Sequence, residues 1–138
     1  MRLVHTHIAA ASFVREDEAL AYSQEQWERE PGEDASNEVY DAWENRNPSW
    51  RMRDEIGDVY LDSDLIETVW NTGQSDRGTN WEYLTSVIGP ENAATCKRVA
   101  PICTTTLILI SENALGAFPF EFTSTPTMTY CGAFPSRS

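Results

Sequence analysis

Asp58, Asp62, Asp64 and Glu67 are the densest carboxylates in a stretch expected to be ordered, so metal or acid–base chemistry is weighed there first. A hard cation asks for several oxygens at once, and a calcium loop of the EF-hand kind needs acids at alternating positions, a central glycine and a closing Glu. The stretch supplies Asp62-x-Asp64 without that glycine or that Glu. A glycosidase needs two carboxyls facing each other across a cleft, and linear spacing selects no such pair from 22 acids. His5-x-His7 would put two imidazoles on one face of a strand, a geometry that metal hydrolases use. Those sites add further His and Asp ligands, whereas His5 and His7 are the only histidines. Cys96, Cys103 and Cys131 are odd in number and lack CxxC spacing, which fits small buried thiols. There is no GxSxG, GxGxxG or P-loop. The expectation is no catalytic residue, no metal and no cofactor, hence not an enzyme; a small metal-dependent hydrolase built on His5, His7 and the acids is the third reading.

Charge is the stronger signal. The chain has 138 residues, with 10 Lys plus Arg against 22 Asp plus Glu and a net charge of −12. Seventeen of those acids lie between Glu16 and Glu67, opposed only by Arg29, Arg46, Arg51 and Arg53, so that segment is −13 and the remainder +1. Tyr22, Trp27, Tyr40, Trp43, Trp50 and Tyr60 are interleaved with the acids. One reading is a solvated acidic surface with its aromatics turned inward. The other is a recognition face, because interface anchors are enriched in Trp and Tyr and complementary charge speeds encounter. Either way, a pI near 4.4 and a single lysine, Lys97 beside Arg98, oppose binding to nucleic acid or anionic lipid and favour a basic partner. No run approaches the roughly 20 apolar residues that span a bilayer. Leu3 to Ala11 is interrupted by His5, Thr6 and His7 and runs on into Arg15, Glu16, Asp17 and Glu18, unlike a signal peptide, so a cytoplasmic protein with no membrane partner is expected.

The elements that would position these groups follow from periodicity. Leu3 to Ile8 alternates as a strand. Ser12 could cap a helix from about Val14 to Glu28 whose face carries Leu20 and Trp27, before Pro31-Gly32 breaks it. Glu38 to Glu44 suits one or two helical turns, and Ser49 could cap a short helix ending at Gly57. Asp64-x-x-Glu67 resembles a capping box, with Ile66, Val69 and Trp70 sharing a face of a helix from Leu65 to Asn71. Thr72 to Thr79 reads as a loop, and Trp81, Leu84, Val87 and Ile88 mark a helix stopped by Gly89-Pro90. Thr104 to Ile110 is β-branched and apolar like a central strand, and strands are also expected at Phe118–Phe122 and Thr127–Tyr130. The fold class is α+β, one domain over residues 1–138, with an antiparallel sheet of the N-terminal strand plus C-terminal strands packed with helices from the first two thirds.

Ser49-Trp50-x-x-x-Asp54-Glu55-Ile56-Gly57, followed by Tyr60-Leu61-Asp62-Ser63-Asp64-Leu65-Ile66-Glu67, resembles the immunity protein 22 family of bacterial polymorphic toxin systems. Phe13, the acidic run Glu16 to Tyr22 and the late apolar strand Leu107 to Ile110 fall in that family's order, so the resemblance covers roughly residues 3 to 122. The chain departs from the pattern at His5 and His7, and Ser124 to Ser138 has no counterpart. The resemblance implies a single immunity-protein-like domain that neutralises a cognate toxin C-terminal domain, often a nuclease, delivered by contact-dependent inhibition or type VI secretion. A nuclease carries positive charge where phosphates bind, and an inhibitor gains by presenting carboxylates there. The expected partner-binding residues are Glu38, Asp41, Trp43, Glu44, Trp50, Asp58, Asp62, Asp64, Glu67 and Trp70. The alternative is an acidic adaptor or nucleic-acid mimic that binds another basic protein.

Overall fold

A strand with an unbroken apolar run, such as Leu107-Ile108-Leu109-Ile110, is stable only with both of its faces covered. The computed structural model, which describes residues 3–57, 59–70, 80–116 and 120–137, covers both. Four strands, β1 (Leu3–Ala11), β2 (Ile66–Trp70), β3 (Thr106–Ser111) and β4 (Met128–Arg137), form an antiparallel sheet in the order β2-β3-β1-β4. Period-two alternation divides their side chains. Ala9, Ala11, Ile66, Ile108, Ile110 and Met128 meet Tyr22, Trp50, Met52, Leu115 and Phe122 on one face. Ile8, Ala10, Leu107, Leu109 and Cys131 meet Leu84, Ile88, Ala93 and Cys96 on the other. Helices α1 (Glu16–Ser23), α2 (Asn37–Arg46) and α3 (Arg51–Ile56) precede β2, and α4 (Asn80–Ile88) and α5 (Pro90–Val99) lie between β2 and β3. The α+β class and the antiparallel sheet thus hold as expected.

Several local expectations do not. The first helix is eight residues long and turns Ala19, Tyr22 and Ser23 inward, leaving Leu20 41% exposed. Ser12 does not cap it: its hydroxyl donates to the Cys103 carbonyl instead. Ser49 does not cap α3: Trp50 holds the N-cap position and no side chain caps it, although Gly57 closes that helix at φ +115° as expected. The helix expected at Leu65–Asn71 is instead a strand from Ile66 to Trp70. Asp62, rather than Asp64, caps a single 3-10 turn at Ser63–Leu65, and Ile66 to Trp70 then pair with Ile110 to Thr106 as the sheet edge. Ile66, Thr68 and Trp70 share a strand face as readily as Ile66, Val69 and Trp70 share a helical one, so pairing with β3 decides. Asn71 and the loop Thr72 to Thr79 lie outside the described residues.

Gly89-Pro90, expected only as a stop, also starts a helix. Proline at the first position of α5 needs no N–H partner, Glu91 lies at its positive end, and Lys97 and Arg98 lie at its negative end. Phe120 and Phe122 are not in a strand, and Phe118 lies outside the described residues. The stretch with no counterpart in the family pattern supplies β4, which pairs along β1 from Leu3 to Ala11. One extra residue, Cys131, makes a bulge opposite Ile8 and Ala9. Gly132, at φ +127°, follows it, and a Cβ there would sit 3.1 Å from the Phe134 ring.

Candidate functional site

After Tyr22 and Ser23 the chain leaves the core, and it returns at Trp50. Gln26 and Ser49 meet at the exit: the Gln26 N–H donates to the Ser49 carbonyl at 2.7 Å, and the Ser49 N–H donates to the Gln26 carbonyl at 2.9 Å. The 22 residues between them, 27 to 48, form an arm in which no residue is buried. Seven acids and two arginines give the arm a charge of −5.

Local chemistry shapes the arm. Pro31-Gly32 ends the extended entry, and the Ser36 hydroxyl accepts from the Val39 N–H to start α2, which runs longer than the one or two turns expected. Trp43 is the arm's centre. Its ring lies 5.9 Å from Trp27 and 6.0 Å from Tyr40, and its indole N–H donates to the Glu28 carbonyl at 3.1 Å. The Arg46 guanidinium donates to the Glu28 carboxylate at 2.8 Å, and the Asn47 side chain accepts from the Glu28 N–H at 2.7 Å. That pairing with Arg46 holds the Glu28 carboxyl below its ordinary range, while the hydroxyl of Tyr40, which donates to Glu30, is pushed up. Trp27 is nonetheless 57% exposed and Val39 50% exposed, with Glu38, Asp41 and Glu44 exposed along α2. Exposed ion pairs contribute roughly 0–1 kcal/mol each, so the arm adds little to the core. What it presents is negative charge beside aromatic surface.

The expected contact residues divide by place. Glu38, Asp41, Trp43 and Glu44 lie together on the arm. Trp50 does not join them: it is 3% exposed, its N–H donates to the Ser23 carbonyl at 2.9 Å, and it belongs to the core, so it is no anchor for a partner. Trp70 is half-buried on β2 and donates to the Phe13 carbonyl at 3.0 Å, tying the edge strand to the start of the first helical layer. Asp62 caps the turn before β2, Asp64 is exposed, and Glu67 is exposed on β2 with Tyr83 against it. Asp58 lies outside the described residues. The expected contact set leaves out Trp27, Tyr40 and Glu28, which pack with Trp43 on the arm. The available signal was Trp27 and Trp43 on either side of a Pro-Gly break, with Val39 and Tyr40 the only large apolar or aromatic side chains between them.

No family model, curated protein or solved structure matches the chain. The two histidines weighed for metal chemistry make different contacts. The His7 ring nitrogen Nδ1 lies 2.9 Å from the Tyr130 hydroxyl, its ring packs 4.5 Å from Phe122, and burial pushes its pKa down. His5 is exposed, and its backbone N–H donates to Glu112. Among the described residues no group of three or more His, Cys, Asp or Glu side chains converges as metal ligands, and no helix is long and apolar enough to cross a membrane. Glu55 is a half-buried acid tied to residues of the core. Tyr22 and Thr127 each donate to it at 2.8 Å, and Arg51 lies 3.4 Å away. Burial alone would raise its pKa, but the hydrogen bonds from Thr127, Tyr22 and Thr125 and the Arg51 charge outweigh burial and hold it low.

Proposed function

We propose that this protein is an immunity protein that acts in the cytoplasm by binding and neutralising a basic toxin domain, such as a nuclease, through the acidic arm. The observation that carries this reading is the arm itself: 22 residues with charge −5 and no buried side chain, closed at the neck by the Gln26–Ser49 pair. Ordering a residue costs roughly 1–2 kcal/mol of backbone entropy, and apolar burial normally offsets that cost. Here burial is slight, so the arm's use lies outside the fold. The resemblance to the immunity protein 22 family supplies the partner class. Carboxylates on α2 and in the preceding loop stand where phosphate would lie in the toxin's site, and Trp27, Tyr40 and Trp43 supply contact area at low entropic cost.

The reciprocal bonds at the neck make excision a clean test. Replacing residues 27–48 by Asn-Gly leaves Gln26 and Ser49 as the closing pair of a two-residue hairpin. The expected result is a folded protein with an unchanged thermal transition that no longer protects cells expressing the toxin domain. Full protection by the excised chain would refute the reading.

A further inference from the structure

On the side of the sheet away from the arm, α4 and α5 cover Ile8, Ala10, Leu107 and Leu109 but stop short of the strand ends. They leave a cleft of about 750 Å³, within the roughly 300–1,000 Å³ typical of ligand sites. Its apolar surface includes Val4 and Leu109 from the sheet and Val87 from α4. The hydroxyls at its floor satisfy each other, Thr6 lying 2.6 Å from Ser136, and so ask nothing of a ligand. Its charge is of one sign: Asp64 and Glu67 line it, and no Lys, Arg or His is among its described lining residues. Glu67 is held in place by Tyr83, whose hydroxyl donates to the carboxylate with both oxygens at 2.7 Å. A carboxylate offers about four acceptor positions, so Glu67 keeps capacity for a donor from outside.

We propose that this cleft receives an arginine side chain of the basic partner, its aliphatic stem against Val4, Val87 and Leu109 and its guanidinium paired with Glu67 and Asp64. Arginine fits better than lysine because its planar fork matches a carboxylate with two hydrogen bonds and stacks on an aromatic face, here that of Tyr83. The inference rests on the neutralising reading for the identity of the partner, but the chemistry of the cleft is testable without any partner.

N-butylguanidinium, followed by amide chemical shifts, is the probe, and N-butylurea is its uncharged counterpart. The guanidinium is expected to give saturable shifts centred on Thr6, Tyr83, Leu109 and Ser111, with the urea at least tenfold weaker. The D64N/E67Q pair is expected to weaken the guanidinium at least tenfold. Val87→Trp, which fills the cleft and leaves both carboxylates in place, is expected to block it as well. Absence of saturable shifts, equal binding of the urea, or shifts centred on residues 27–48 would overturn the assignment. None of those results touches the neutralising reading, which the excised chain decides.

Discussion

Between Ser12 and Gly57 the helical layer on one side of the sheet carries thirteen carboxylates and five arginines; between Asn80 and Val99 the layer on the other side carries two carboxylates, one lysine and one arginine. Both layers meet the same sheet with apolar side chains, Tyr22, Trp50 and Met52 on one face and Leu84, Ile88 and Cys96 on the other. The difference therefore lies outside the core. The neutral layer is two helices joined directly at Gly89, and the acidic layer is interrupted by an arm in which no residue is fully buried. A core needs sealing on both sides, and the neutral layer shows how little charge that takes. On the function proposed above, the surplus in the acidic layer is surface for a partner.

If the core and the arm are separate in this way, neighbouring tryptophans must behave differently. Trp50→Ala is expected to cost about 3–5 kcal/mol, since it opens a cavity and strands the Ser23 carbonyl, whereas Trp27→Ala is expected to cost less than about 1 kcal/mol. Urea denaturation of the two variants measures both, and equal losses would erase the distinction. Next in size is Glu55, the acid tied to residues of the core. Glu55→Gln is expected to cost about 1–3 kcal/mol at neutral pH. Because folding lowers its pKa, the stability it contributes is complete above the ordinary carboxylate range and is lost as pH falls through the folded value. The wild-type chain should therefore lose stability on acidification more steeply than Glu55→Gln in paired acid titrations. The smallest effect concerns the cleft. The bond to Glu67 pushes the Tyr83 hydroxyl up to about 12. Glu67→Gln should return it toward about 10, read by phenolate absorbance. No change would mean that Glu67 does not hold Tyr83.

What was legible in the sequence follows the same division. Trp81 to Ile88 declares a helix because its apolar residues fall at helical spacing, and Thr104 to Ile110 reads as a strand because it is short, β-branched and apolar. Ile66 to Trp70 fits both periods, and only its pairing with β3 settles it. Glu38, Asp41, Trp43 and Glu44 were legible as a group, since spacings of three and two bring them onto one short helix. Trp50 was misplaced because composition does not tell an aromatic that faces water from one at the foot of the neck. Trp27 was assigned to a buried face for the converse reason: its apolar partners are Trp43 and, through it, Tyr40, thirteen and more residues away, and the helix that was to bury it ends at Ser23.

The most direct measurement compares association rates with the toxin domain for two charge reversals, E38K/D41K/E44K on the arm and E82K/E91K on the neutral layer. Steering by complementary charge changes association by a factor on the order of 10 to 10³ and fades with added salt. The arm triple is expected to lose that factor at low salt along with most of the salt dependence, and the neutral-layer pair is expected to stay within about twofold of the wild-type rate. An arm triple that associates as fast as the wild-type chain, with the same response to salt, would contradict the assignment of the arm as the surface a partner meets.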